Sequence, residues 1–99
     1  MNKEEKYKKL EEDLIIECED VVSLVLKKNM NYGDMNISIC GLKGIVVRLT
    51  DKVCRMTVMV LQGETDKLGE SITDTFKDIV GYGLIGLLWL NGKWPGIEK

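Results

Sequence analysis

Tyr7, Leu10, Leu14, Cys18, Val21 and Val25 recur along the first part of the chain at spacings of three and four, and Ile15, Val22 and Leu26 widen their stripe. That period predicts an amphipathic helix from about residue 3 to about residue 28. Asn29, Asn31, Gly33 and Asp34 supply the turn chemistry that ends it. Met35 to Cys40 reads as a short extended piece. A second helix is expected from about residue 42 to 62, with Gly63 as its C-cap. A third opens at Thr65 or Asp66 and runs from about residue 66 to 90, before Gly92 and Pro95 stop it. The fold class expected is all-α: one domain over residues 1–99, a three-helix antiparallel bundle whose loose tail, 93–99, has Trp89 and Trp94 as its natural anchors.

Two helices carry patterns that bear on packing. On the second, Arg48, Asp51, Lys52 and Arg55 fall within about a third of the circumference at 100° per residue. Ile45, Val46, Leu49, Val53, Met56 and Val60 make a second face, and Val47, Cys54, Val58 and Leu61 a third. Such a helix is packed from two directions with its charges along the seam. The second half of the third helix, IVGYGLIGLLWL, is apolar nearly all round and needs a wall that three helices do not supply. Gly81, Gly83 and Gly86 each cost roughly 1 kcal/mol of helix propensity, which points to close backbone approach. A homo-oligomer is expected.

Composition narrows the chemistry. A chain of 99 residues that is 44% hydrophobic and 30% charged suits one small soluble domain. Its net charge of -2 gives no general footprint for duplex nucleic acid, so any anion site must be local. The complete absence of histidine removes Ser-His and Cys-His catalysis. Cys18, Cys40 and Cys54 are odd in number, with no CxxC among them, which favours small core residues in a reduced compartment over metal ligands. The first residues are too charged for a signal peptide and the apolar run from Ile79 to Leu90 is too short to span a bilayer. No membrane partner is expected, and the expected location is the cytoplasm of a bacterial host.

Three constellations carry candidate chemistry. Glu70, Asp74 and Asp78, spaced by four, stack on one helix face and, with Asp51 nearby, offer carboxylates for a hard cation that bridges phosphate oxygens. The same acids equally suit the dipole at a helix N-terminus, or pairing with Arg48, Lys52 and Arg55. The basic stripe matches phosphate oxygens through arginine's rigid donor fork, and also suits a structural salt-bridge network. In the turn NMNYGDMN, Tyr32 is placed to stack on a base and Asp34 to accept from a sugar or base edge, although such residues commonly just end a helix. Tyr82, one turn past Asp78, is a second aromatic candidate or a core tyrosine. The lysine and glutamate run from Lys3 to Asp13 reads as a solvated face.

Taken in order, KNMNYGD, GLKGIVVRLTDKVCRM and ESITDTFKDIVGYGLIGLL resemble the nucleotide-modification-associated domain, type one, a family of small phage and bacterial proteins. The resemblance covers roughly Glu17 to Leu90. It rests on Tyr32, Gly33, Asp34, Gly44, Arg48, Asp51, Lys52, Arg55, Glu70, Ser71, Asp74, Thr75, Asp78 and Tyr82. It implies a phosphorylated nucleotide as ligand, with Tyr32, Asp34, Arg48, Asp51, Lys52, Arg55 and Tyr82 as its contacts. The last helix is similar to that of the all-α MazG-type nucleotide pyrophosphohydrolases, which hold Mg²⁺ between an ExxE helix and an ExxD helix. Here Glu70, Asp74 and Asp78 stand for the second element, while Glu17 and Asp20 make only an ExxD where the first should be. The expectation is therefore a phage-type binding protein that sequesters a nucleotide signal as an anti-defence sponge. The alternative is a Mg²⁺-dependent nucleotide pyrophosphohydrolase, with metal on Glu70, Asp74 and Asp78.

Overall fold

A computed structural model describes residues 1–63 and 71–95. Among them the fold is all-α, with no strand. The elements are α1 (Lys3–Tyr32), α2 (Met35–Ser38), α3 (Gly41–Met56), which runs on as a π-helical turn (Thr57–Leu61), and α4 (Ile72–Leu90).

Local chemistry sets each boundary. Asn2 caps α1, its Oδ1 accepting from the Glu5 backbone N–H at 2.9 Å. The helix continues past Lys28 to Tyr32 because the break comes only at Gly33, whose φ of 77° lets its N–H reach the Asn29 carbonyl. Met35 to Ser38 is one turn of helix, not an extended piece. The Asp34 carbonyl accepts from the backbone N–H groups of Ile37 and Ser38 and from the Ser38 hydroxyl, so the local bonds favour winding. The wide turn closing α3 is marked by the bond from the Gln62 N–H to the Thr57 carbonyl. Ser71 caps α4, its Oγ accepting from the Asp74 N–H and its carbonyl from Thr75. Thr65 and Asp66, the sequence-based start of this helix, lie outside the described residues.

α4 is the spine, with α1 and α3 both packed on it. The register is antiparallel in each pair. Gly41 meets Trp89, Ile45 meets Gly86, and Lys52 meets Asp78, so numbers climb on α3 as they fall on α4. Val25 and Val21 close on Gly81, and Lys28 on Asp78, which sets α1 the same way. Two glycines explain the closeness. A Cβ on Gly81 would stand 3.1 Å from Val25 Cγ2, and one on Gly41, already at φ 60°, would stand 3.0 Å from the Trp89 ring. The core of Ile37, Ile45, Ile85 and Trp94 lies where α2, α3 and α4 meet, flanked by Val25, Leu49, Tyr82 and Trp89. Trp94 therefore pins the chain beyond α4, its indole N–H donating to the Asp34 carbonyl at 3.4 Å.

Much of the apolar pattern finds no cover. Residues 1–20 are all exposed, so Tyr7, Leu10 and Leu14 project from the body on the first half of α1. Of the two apolar faces expected on α3, Ile45 is buried and Leu49 partly so, but Val46, Val47, Val53, Cys54, Val60 and Leu61 all face outward. All three cysteines are exposed free thiols, not the small core residues their apolar settings suggested. One chain buries a single face of each helix.

Candidate functional site

The C-terminal turns of α1 carry Lys28, Asn29 and Tyr32 because Val21, Val25 and Lys28 continue one stripe, at spacings of four and three, toward α4. α3 presents Arg48 and Lys52 one turn apart, and α4 presents Lys77, Asp78, Tyr82 and Ile85. Between these helices, with Asn36 and Ile37 of α2 and the Trp94 indole at its edges, is a cavity of about 270 Å³. Among the described residues four cations and one carboxylate line it. On a chain of net charge -2 this is a local positive field, strengthened by low-dielectric walls.

Asp78 organises that field. Its Oδ1 accepts from Lys28 Nζ at 2.7 Å and its Oδ2 from Lys52 Nζ at 2.8 Å, tying α1 and α3 to α4 through one carboxylate. Burial pushes the Asp78 carboxyl up, yet the hydrogen bonds and charges of Lys28 and Lys52 together outweigh it and hold the group below its ordinary value of 3.8. A carboxyl with a lowered folded-state pKa stabilises fully above the unfolded-state value and loses that stabilisation as pH falls through the folded one. Resistance to urea is therefore expected to weaken as pH drops below about 4. Asp78→Asn should flatten that part of the profile. Parallel decline of wild type and variant would show that Asp78 is not the group responsible.

Arg48 is held from two sides. Its Nη2 donates to the Asn36 carbonyl at 3.0 Å and to the Asn36 side-chain oxygen at 3.3 Å, and its guanidinium lies 5.9 Å from the Tyr82 ring centroid. One face of Tyr82 is thus occupied by Arg48. Tyr32 is two-thirds exposed at the rim, with its ring available to a flat ligand.

The residues singled out from sequence divide clearly. Tyr32, Arg48, Lys52, Asp78 and Tyr82 line the cavity. Asp34 stands beside it as a scaffold: its carboxylate accepts from Asn29 Nδ2 at 2.6 Å, while its carbonyl holds α2 and Trp94. Asp51 and Arg55 pair with one another at 3.3 Å, one helical turn apart and outside the cavity lining. Asp74 is exposed near the start of α4, and Glu70 lies outside the described residues. Among the described residues no three Asp, Glu or Cys groups converge as metal ligands.

Lys28, Asn29, Asn36, Lys77 and Trp94 belong to the lining and were not picked out by motif. Lys28 carried a legible signal, a cation at the end of the α1 contact stripe. Lys77 adjoins Asp78 and Asn36 follows the YGD turn by two residues, but neither position has a spacing that marks it. No family model, curated protein or solved structure matches the chain.

Proposed function

We propose that this chain is a phage-type nucleotide-binding protein, a homo-oligomer of three-helix antiparallel bundles that holds a phosphorylated nucleotide in the cleft between α1, α3 and α4. The observation that carries this reading is four cations, Lys28, Arg48, Lys52 and Lys77, around one carboxylate in a cavity rimmed by Tyr32. Phosphate oxygens match the arginine fork and the ammonium groups. Tyr32 supplies a stacking face for the base, and Asn29 and Asn36 supply amide donors and acceptors for its edge or for the ribose. A cavity of about 270 Å³ is near the lower end for small-molecule pockets, a size suited to one nucleotide unit.

Retention without turnover is the activity we assign, and with it the role of a sponge for a nucleotide signal. Both oxygens of Asp78 are engaged by ammonium groups, which favours holding phosphate over carrying a metal for its hydrolysis. The deciding experiment is mass spectrometry of small molecules released from the purified protein, followed by thermal unfolding with nucleoside mono-, di- and triphosphates and the bare nucleoside. A phosphorylated species at a hundred times its dissociation constant should stabilise by roughly 2.7 kcal/mol, while the bare nucleoside does nothing. The nucleotide should be recovered intact after incubation with Mg²⁺. Release of pyrophosphate would replace the sponge with the Mg²⁺-dependent pyrophosphohydrolase, and no shift with any phosphorylated nucleotide would remove the binding reading altogether.

A further inference from the structure

α4 buries Thr75, Asp78, Gly81, Ile85 and Gly86 against its own chain and leaves its opposite side bare. That side carries Phe76, Val80, Gly83, Leu87 and Leu90, at successive spacings of four, three, four and three. Phe76, Leu87 and Leu90 are 53, 58 and 68% exposed. At 100° per residue the five fall within about a quarter of the circumference, and the charges of α4, Asp74, Lys77 and Asp78, all lie outside that arc.

The area left open matches a missing partner. The accessible surface is 7588 Å², against about 5,700 Å² expected for a folded monomer of this mass. The surplus, about 1,900 Å², is shared between the projecting first half of α1 and the bare side of α4, and it exceeds the roughly 800 Å² that each partner contributes to a standard stable interface. The radius of gyration, 16.0 Å, is likewise above the value near 13 Å usual for this length.

Gly83 gives the stripe its centre. Gly81 is explained by Val25 and Gly86 faces Ile45, but among the described residues nothing lies within 4 Å of a Cβ built on Gly83. A mid-helix glycine with no neighbour is a cost of roughly 1 kcal/mol without return inside one chain. We propose that a second copy of this chain packs on this stripe, antiparallel, with Gly83 at a two-fold axis where the two α4 backbones come closest. The spacing sets the register: Phe76 and Leu90 lie seven residues either side of Gly83, and Val80 and Leu87 lie three and four. Phe76 then meets the partner's Leu90, and Val80 meets the partner's Leu87, in an isologous contact. The same helix presents Asp78 and Tyr82 to the cleft on its other side, so the two clefts face away from the seam.

This inference rests on the oligomeric part of the proposed function and not on the ligand. It is tested by sedimentation velocity of the full chain, with Leu87→Glu as the variant and Ile16→Glu, on an exposed part of α1, as the comparison. Wild type and Ile16→Glu should sediment alike as an oligomer, and Leu87→Glu at a lower order with unchanged helical circular dichroism. A variant of Gly83→Cys with the three native cysteines replaced by serine should form a disulfide-linked dimer on mild oxidation, which decides the matter if Leu87→Glu loses helix. A monomeric wild type would overturn both the seam and the oligomer. An oligomer that Leu87→Glu leaves unchanged and Gly83→Cys fails to link would overturn the seam alone. A monomer that sediments with phospholipid vesicles would assign the stripe to a membrane surface instead.

Discussion

Replacing Asp78 by alanine should destabilise the protein by about 3 kcal/mol or more, the largest effect expected of any single charged residue. The carboxylate is buried and engages Lys28 and Lys52 on separate oxygens, so its loss takes a negative group from between two ammonium groups near 2.8 Å from it. Breaking a buried pair from one side costs more than the pair contributes, because the surviving charge stays desolvated. Burial ranks the partners. The Lys52 side chain is only 14% exposed whereas that of Lys28 is 46% exposed, so Lys52→Ala should cost clearly more than Lys28→Ala, where water already shares the charge. Asp51→Ala supplies the contrast, since its carboxylate is itself largely exposed and its pair with Arg55 contributes less than about 1 kcal/mol. Chemical denaturation of the four variants gives the ranking directly. An Asp78→Ala protein within about 1 kcal/mol of wild type would mean that the lysine clamp is ornamental to the fold.

The contrast between Asp78 and Asp51 also shows where sequence reading succeeds and stops. Helical periodicity places Arg48, Asp51, Lys52 and Arg55 on one face, and it correctly locates Asp78 and Tyr82 one turn apart. It does not say which charges are already spoken for. Asp51 and Arg55, four apart on one helix, meet each other before any ligand arrives, whereas Lys28 and Asp78 are brought together across fifty residues of sequence. The pairing of α1 with α4 is carried by Val21, Val25 and Gly81, residues too ordinary to announce a partner. For α4 the period is uninformative by nature: a helix apolar all round has no preferred buried side, and Asp78 and Thr75, not a leucine stripe, mark the inner one. Trp94 is legible as an anchor for the segment beyond α4, but its partners are not. That it completes the core shows only in its burial with Ile37, Ile45 and Ile85. The α2 turn is not legible, because six residues hold too little periodicity to tell a helical turn from an extended piece.

Arg48→Ala should weaken nucleotide binding by roughly 10- to 100-fold while leaving the fold intact, since a charge-assisted hydrogen-bonding group is worth about 1.5 to 3 kcal/mol. Arg48 differs from Lys52 in a way that makes it the cleaner probe. Lys52 is committed to Asp78, so its removal confounds affinity with stability. Arg48 is positioned instead by a backbone carbonyl, an amide oxygen and the Tyr82 ring, none of which is left as an unpaired buried charge when it goes. The neutral partners also leave its full positive charge for a phosphate. Arg48→Lys should recover only part of the affinity, because an ammonium keeps the charge but loses both the planar fork and the stacking on Tyr82. Tyr82→Leu should mimic part of the Arg48→Lys loss by freeing the guanidinium, and Tyr32→Ala should lower affinity for nucleotide far more than for inorganic pyrophosphate, which has no base to stack. Calorimetric titration at two salt concentrations separates these terms, with the contribution of Arg48 shrinking as ionic strength rises. If Arg48→Ala bound nucleotide as tightly as wild type, the phosphate would have to sit elsewhere in the cleft, with Lys28 and Lys77 as the cations left to hold it.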